Sequence, residues 1–228
     1  MHLVQDSTAI VLAGIWNPAI LNPSWLLRYV HDIPTGQGLP VQLEQAVMPA
    51  GQPTRYGIGD IKYTPSRNQL VLQPVSVTPE NLNLVQEKTR RILTLLPHTP
   101  VAGLGQNFQF SEENPSEEQL AVFAAANDLS LRCDFEFELR STGVVSSIQF
   151  DNRTLNIART NRNGQLFVAF NFHYNTTSAE NAAEQLQHPI FVENLAYATR
   201  ILRCLYAIEV DMHQDQTPQA QPLQAQAV

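Results

Sequence analysis

Two cysteines, Cys133 and Cys204, are all that the 228 residues contain. A secreted domain built on a disulfide framework would carry four or more in a shorter chain, so the pair fits a reducing compartment. Charge is also sparse. Only 15% of residues are Asp, Glu, Lys or Arg, and 21 acidic against 14 basic side chains leave a formal net charge of -7. Phosphate contacts depend on clustered Lys and Arg, so no nucleic-acid partner is expected. Uninterrupted apolar runs fall well short of the roughly 18 residues that a membrane span needs. The apolar run at 10–16 follows Asp6 with no Lys or Arg before it and no small-residue cleavage pattern after it, so no signal peptide is expected. The two Asn-x-Thr sequons, at Asn152 and Asn175, would matter only in a secreted chain. The expected setting is the cytoplasm, with no membrane partner.

Signatures of nucleophilic and nucleotide chemistry are missing too. There is no Gly-x-Ser-x-Gly, no Ser-x-x-Lys and no Gly-x-x-x-x-Gly-Lys-Ser/Thr. Gly57-Ile58-Gly59 and Gly103-Leu104-Gly105 do not extend to the dinucleotide fingerprint. His2, His31, His98, His188 and His213 show no HxxxH, HxH or Cys-His spacing, so neither a metal nor another cofactor is expected.

What is present is a legible order of elements. A strand is expected at 8–16, followed by a helix at 24–31 that Asn22-Pro23-Ser24 would cap. A strand at 41–47 leads to a hairpin of strands 55–64 and 69–75, turning at 66–68. Thr78-Pro79-Glu80 caps a longer helix whose inner face reads Leu82, Val85, Thr89, Ile92, Leu93 and Leu96, stopped by Pro97 and Pro100. The next strand is 101–110. Asn114-Pro115-Ser116-Glu117 then opens a helix to about residue 126, and four strands, 129–140, 144–151, 154–160 and 165–174, form an antiparallel meander. Ser178 caps a helical region to about residue 206, broken by Pro189. The tail from Gln214, rich in Gln, Pro and Ala, lacks apolar periodicity and is expected to be disordered.

The two halves resemble each other. Arg67-Asn68-Gln69-Leu70-Val71 parallels Arg162-Asn163-Gly164-Gln165-Leu166-Phe167-Val168, and the cap Thr78-Pro79-Glu80-Asn81 parallels Ser178-Ala179-Glu180-Asn181. Hairpin turns and helix caps draw on few residue types, yet the shared order of elements favours duplication. The expected fold is α+β, a mainly antiparallel sheet with helices packed on one face, in two tandem related repeats. The first repeat spans 1–112, the second 113–210, and 211–228 is the tail.

A sheet covered on one side leaves its other face open. In the strand at 129–140, Leu129, Leu131, Cys133, Phe135, Phe137 and Leu139 share one face while Arg132, Asp134, Glu136 and Glu138 share the other. Asn171 and His173 fall on the open face of the last strand, and Leu195, Ala198, Leu202, Leu205 and Ile208 supply the helical cover. Both cysteines then belong to apolar faces. Carboxylates two apart on a strand lie roughly 6.6 to 7 Å apart, a spacing compatible with inverting glycoside hydrolysis, but an open face offers no desolvation to move a pKa. In a simple meander His173 would lie about 14 Å from this row, too far for a shared metal. Arg132, Asp134, Glu136, Glu138, Asn171 and His173 are therefore read as an interaction face.

Two further constellations stand out. Gly57 with Gly59, and Gly103 with Gly105, are expected to bare one face of two strands, leaving a groove walled by Tyr56, Tyr63, Asn107 and Gln109 or a strip packed by Trp25 or Tyr29. Lys88, Arg90 and Arg91 form the only tight basic cluster; they complement the negative end of their helix or contact an anion. The reading that follows is a non-catalytic interaction or assembly subunit acting through a protein partner or self-association. The alternative is a ligand-binding protein or enzyme using the glycine groove.

Overall fold

The computed structural model describes residues 1–34, 41–44, 54–123, 141–150 and 152–211. Ten strands join in one antiparallel sheet: β1 (His2–Leu3), β2 (Ala9–Gly14), β3 (Val41–Glu44), β4 (Arg55–Ile58), β5 (Ile61–Pro65), β6 (Gln69–Pro74), β7 (Val101–Glu112), β8 (Ser141–Phe150), β9 (Arg153–Arg162) and β10 (Gln165–Asn175). Their order is β3-β4-β5-β6-β2-β7-β10-β9-β8, with β1 paired to the far end of β7. Five helices complete the described chain: α1 (Pro23–Trp25), continued by a π-turn at Leu26–Val30, then α2 (Pro79–Leu95), α3 (Glu117–Phe123), α4 (Ala179–Gln185) and α5 (Ile190–Tyr206).

Local chemistry accounts for these boundaries. Asn22 Oδ1 accepts from the Trp25 amide at 3.0 Å, and Pro23 occupies the first helical turn, where its missing N–H is harmless. Thr78 and Ser178 do the same for α2 and α4 by accepting from Asn81 and Asn181. Pro189 separates α4 from α5, as its position in the sequence implies. The α2 face of Leu82, Val85, Thr89, Ile92 and Leu93 is buried, joined by Gln86.

Alternation sets the sheet's two faces. Ile10, Leu12, Tyr63, Leu70, Leu72, Leu104, Phe108, Phe110, Val168, Phe170 and Phe172 are buried on one side. The helices cover that side: Phe191 of α5 packs its ring 5.3 Å from Phe108, and Tyr197 lies 6.2 Å from Phe172. Polar groups lock the cover in place. Buried Asn194 of α5 donates to Gln106 Oε1 at 2.7 Å and to the Tyr174 hydroxyl at 2.9 Å, while Arg153 donates to Asn194 Oδ1 at 2.6 Å. Gln86 of α2 accepts from the Phe191 amide at 2.9 Å and donates to the Leu186 and His188 carbonyls, so α2, α4 and α5 are pinned to one another.

Several expectations change. Residues 55–64 form two strands rather than one, because Gly59 adopts φ 56°, a left-handed conformation suited to glycine, and turns the chain between β4 and β5. The strand expected at 101–110 continues to Glu112, where β1 pairs with it and the Met1 ammonium lies 3.0 Å from the Glu112 carboxylate. Cys204 and Leu205 are exposed, contrary to their expected place on the apolar face: Cys204 lies on the side of α5 opposite Leu195 and Leu202, and Leu205 belongs to the last turn of the helix, which ends at Tyr206. The strand expected at 129–140, with Cys133, Arg132, Asp134, Glu136 and Glu138, lies outside the described residues, as do residues 45–47 and the tail beyond 211.

Candidate functional site

Opposite the helices, the register aligns polar side chains across strands. Asn107 of β7, Asn171 of β10, Asn156 of β9 and Ser147 of β8 stand in one row perpendicular to the strands. Asn171 Nδ2 donates to Asn107 Oδ1 at 2.5 Å, and Asn156 Nδ2 donates to Asn171 Oδ1 at 3.3 Å. Among the described residues, the chain of amides leaves the Asn107 side-chain donor and the Asn156 side-chain acceptor without a hydrogen-bond partner. The neighbouring row runs from Gly105 through His173 and Thr154 to Gln149, and Thr154 Oγ1 donates to Gln149 Oε1 at 2.6 Å. His173 Nε2 lies 3.2 Å from Asn175 Oδ1. On β10 and β9 this face ends in Phe167, with the Arg162 guanidinium 6.0 Å from its ring centroid.

The glycines explain how His173 and Asn171 lie down. A Cβ on Gly103 would sit 3.0 Å from His173 Cε1, and one on Gly105 would sit 3.3 Å from Asn171 Nδ2. Side chains of β10 thus cover the strip expected to be a bare groove, and Trp25 and Tyr29, which pair with each other at 5.7 Å, do not pack on it. Of the groove's expected members, Gly103, Gly105, Asn107 and Gln109 share this face. Gly57 belongs to the same face on β4, beneath Gln42, while Gly59 sits in the β4–β5 turn. Tyr56 and Tyr63 point to the opposite side, because they pair across β4 and β5 and Tyr63 is wholly buried on the helix side of the sheet, beside His31.

Tyr63 meets a histidine there. His31 Nε2 is 2.9 Å from the Tyr63 hydroxyl. Burial of the ring, reinforced by the Lys88 and Arg91 charges and only partly opposed by Asp32 and Glu87, lowers the His31 pKa to about 4. Burial pushes the Tyr63 phenol upward. The basic cluster is largely committed within the chain: Lys88 lies 3.0 Å from Glu87 Oε1, and Arg91 bonds Asp32 and the Tyr29 carbonyl, leaving Arg90 exposed. Asp134, Glu136, Glu138 and Arg132 lie outside the described residues.

The Gln106, Asn194, Tyr174 and Arg153 cluster escaped the sequence reading. Its signal was a polar residue, Asn194, one place before Leu195 on an apolar helix face. Chemically, the open face offers amide and hydroxyl donors and acceptors, an imidazole and an arginine stacked on a ring. Among the described residues no three His, Cys, Asp or Glu side chains come together to hold a metal ion, and no helix is long and apolar enough to cross a membrane. No protein-family model, curated protein or solved structure matches the chain.

Proposed function

We propose that the chain is a non-catalytic assembly subunit or adaptor of the cytoplasm that works by protein–protein contact, through self-association or within a hetero-complex. One observation carries the reading: among the described residues, the five helices leave most of the opposite sheet face uncovered, and the turn at 5–7 lies against its β5–β6 part, where Gln73 donates to the Asp6 carbonyl and Lys62 lies 3.3 Å from Asp6 Oδ1. Eight strand spacings of about 4.8 Å and some six residues of about 3.4 Å give that face an area of about 800 Å², the share that one partner contributes to a standard protein interface. On β2, β7, β8, β9 and β10 its described side chains include no carboxylate, although the chain carries a net charge of -7. Removing charge from the centre of a contact surface lowers its desolvation penalty. Val145 on this face is 72% exposed, and Val11 and Val71 are half-buried, adding apolar area among the amides.

The same reading includes an internal duplication. With β7 taken as the opening strand of the second half, instead of the last strand of a repeat at 1–112, each half places its last strand beside its opening one, β6 next to β2 and β10 next to β7. Each half also runs from strand to helix to antiparallel strands to helix. Both features support two repeats related by a pseudo-twofold.

The test is substitution on the open face. Asn171→Arg and Val145→Asp leave the helix-covered core untouched and should dissolve the complex recovered from the protein's own source, while circular dichroism and thermal unfolding stay close to wild type. A complex that survives both substitutions removes this face from the reading.

A further inference from the structure

A second feature, independent of the open face, lies at the end of the sheet. The loop at 15–21 after β2 and the turn at 95–100 between α2 and β7 enclose a cleft of about 340 Å³. Volumes from about 300 Å³ upward with apolar linings are typical of small-molecule sites. Trp16 lies at its base, 4% exposed, with Nε1 donating to the Leu12 carbonyl at 3.0 Å. Ile15, Ile20 and Leu95 line it, and they are three of the nine large hydrophobic side chains left exposed in the described chain. Such a concentration in one concavity marks a binding surface more than scattered exposure does.

The walls are fixed by backbone. The Ile15 amide donates to the Pro100 carbonyl at 2.9 Å, and the Trp16 amide to the Arg67 carbonyl at 2.9 Å. The chains approach so closely that a Cβ on Gly14 would lie 2.4 Å from the Pro100 oxygen.

Charge selects the ligand. Leu95 is the last residue of α2, so the negative end of that helix meets the cleft. Pro97 has no N–H to give the Leu93 carbonyl, and the Thr99 amide bonds Leu96 instead of Leu95. The Leu93, Thr94 and Leu95 carbonyls therefore accept no backbone hydrogen bond among the described residues. No Lys, Arg, Asp or Glu lines the cleft, and His98 is its single titratable side chain. An apolar body suits the lining, and a protonated amine suits the carbonyl-rich helix end, which would repel a carboxylate.

We propose that this cleft binds a small amphiphilic amine, its apolar part over Trp16 and its ammonium group toward the end of α2. Phenethylamine and phenylpropionate share an aryl body and differ in the sign of the head group, so the pair isolates the charge argument. Each is titrated into the full chain, followed by amide NMR and by Trp16 fluorescence in a Trp25→Phe background. Phenethylamine should bind saturably, shift the amides at 15–21 and 95–99, and bind about tenfold tighter than phenylpropionate, the scale expected when an interaction of helix-end strength changes sign. Leu95→Lys, at an exposed position, should weaken the amine about tenfold and tighten the carboxylate. Absence of saturable amine binding, equal affinity for the two compounds, or shifts elsewhere on the chain would overturn the proposal. The two-ligand comparison on the unaltered cleft decides it even if Leu95→Lys disturbs folding.

Discussion

Acidification should expose the state of His31. The ring is half-buried, 2.9 Å from the Tyr63 hydroxyl and close to the Lys88 and Arg91 charges, and its pKa in the fold is about 4 against 6.5 for the free side chain. A histidine held below its unfolded value stays neutral in the native state while the unfolded chain takes up a proton. Its contribution to stability is therefore complete above about pH 6.5 and is lost as pH falls toward 4. Integrating the two titrations between about pH 7 and pH 5 gives a loss of about 1.8 kcal/mol if the whole shift is effective. Solvent still reaches the ring and screens the neighbouring charges, so about 1 kcal/mol is the expected size. The perturbation is His31→Asn, which keeps a polar partner for Tyr63 and removes the titration. Urea unfolding at the two pH values should show wild type losing about 1 kcal/mol more than the variant. Equal losses, or an imidazole NMR titration centred near its ordinary value, would refute the buried-neutral assignment.

Four further outcomes test the packing and the turn geometry. Asn194→Ala leaves the Arg153 guanidinium, the Gln106 carbonyl and the Tyr174 hydroxyl without a shared buried partner, and should lower unfolding free energy by about 2 to 4 kcal/mol in denaturant titration. Leu202→Ala, at a fully buried site, should cost about 2 to 5 kcal/mol, whereas Leu205→Ala, 64% exposed on the same helix, should change stability by no more than about 0.5 kcal/mol. Gly59→Val should cost about 1 to 3 kcal/mol because of its left-handed φ of 56°, although nothing within 4 Å opposes the added side chain. Gly105→Ala, by contrast, needs Asn171 to move only a few tenths of an ångström, and amide NMR should show changes confined to the Asn107, Asn171 and Asn156 row.

The elements with strong local punctuation were legible in the sequence. Asn22, Thr78 and Ser178 cap helices because their side-chain oxygens satisfy amides within three residues, and Pro189 breaks the last helical region for an equally local reason. Period-two alternation likewise separated Phe170 and Phe172 from Asn171 and His173. What failed depended on tertiary geometry. Alternation alone continued the strand through Gly59, since a glycine reads the same in a strand or a left-handed turn. The helical period placed Leu205 inward, but α5 ends at Tyr206 and its last turn no longer lies over the sheet core. Tyr63 shared a strand pattern with the glycines yet faces the helices, and the amide row joins residues from β7, β9 and β10 that only the register brings together.

Native mass spectrometry of the untagged protein, purified gently from its own source, tests the assembly reading most directly. Subunit count, bound partners and small-ligand mass come from one spectrum. A homo-oligomer or hetero-complex that collapses to monomer with Asn171→Arg is the predicted result. A wild-type monomer, or a complex unchanged by that substitution, would contradict the account.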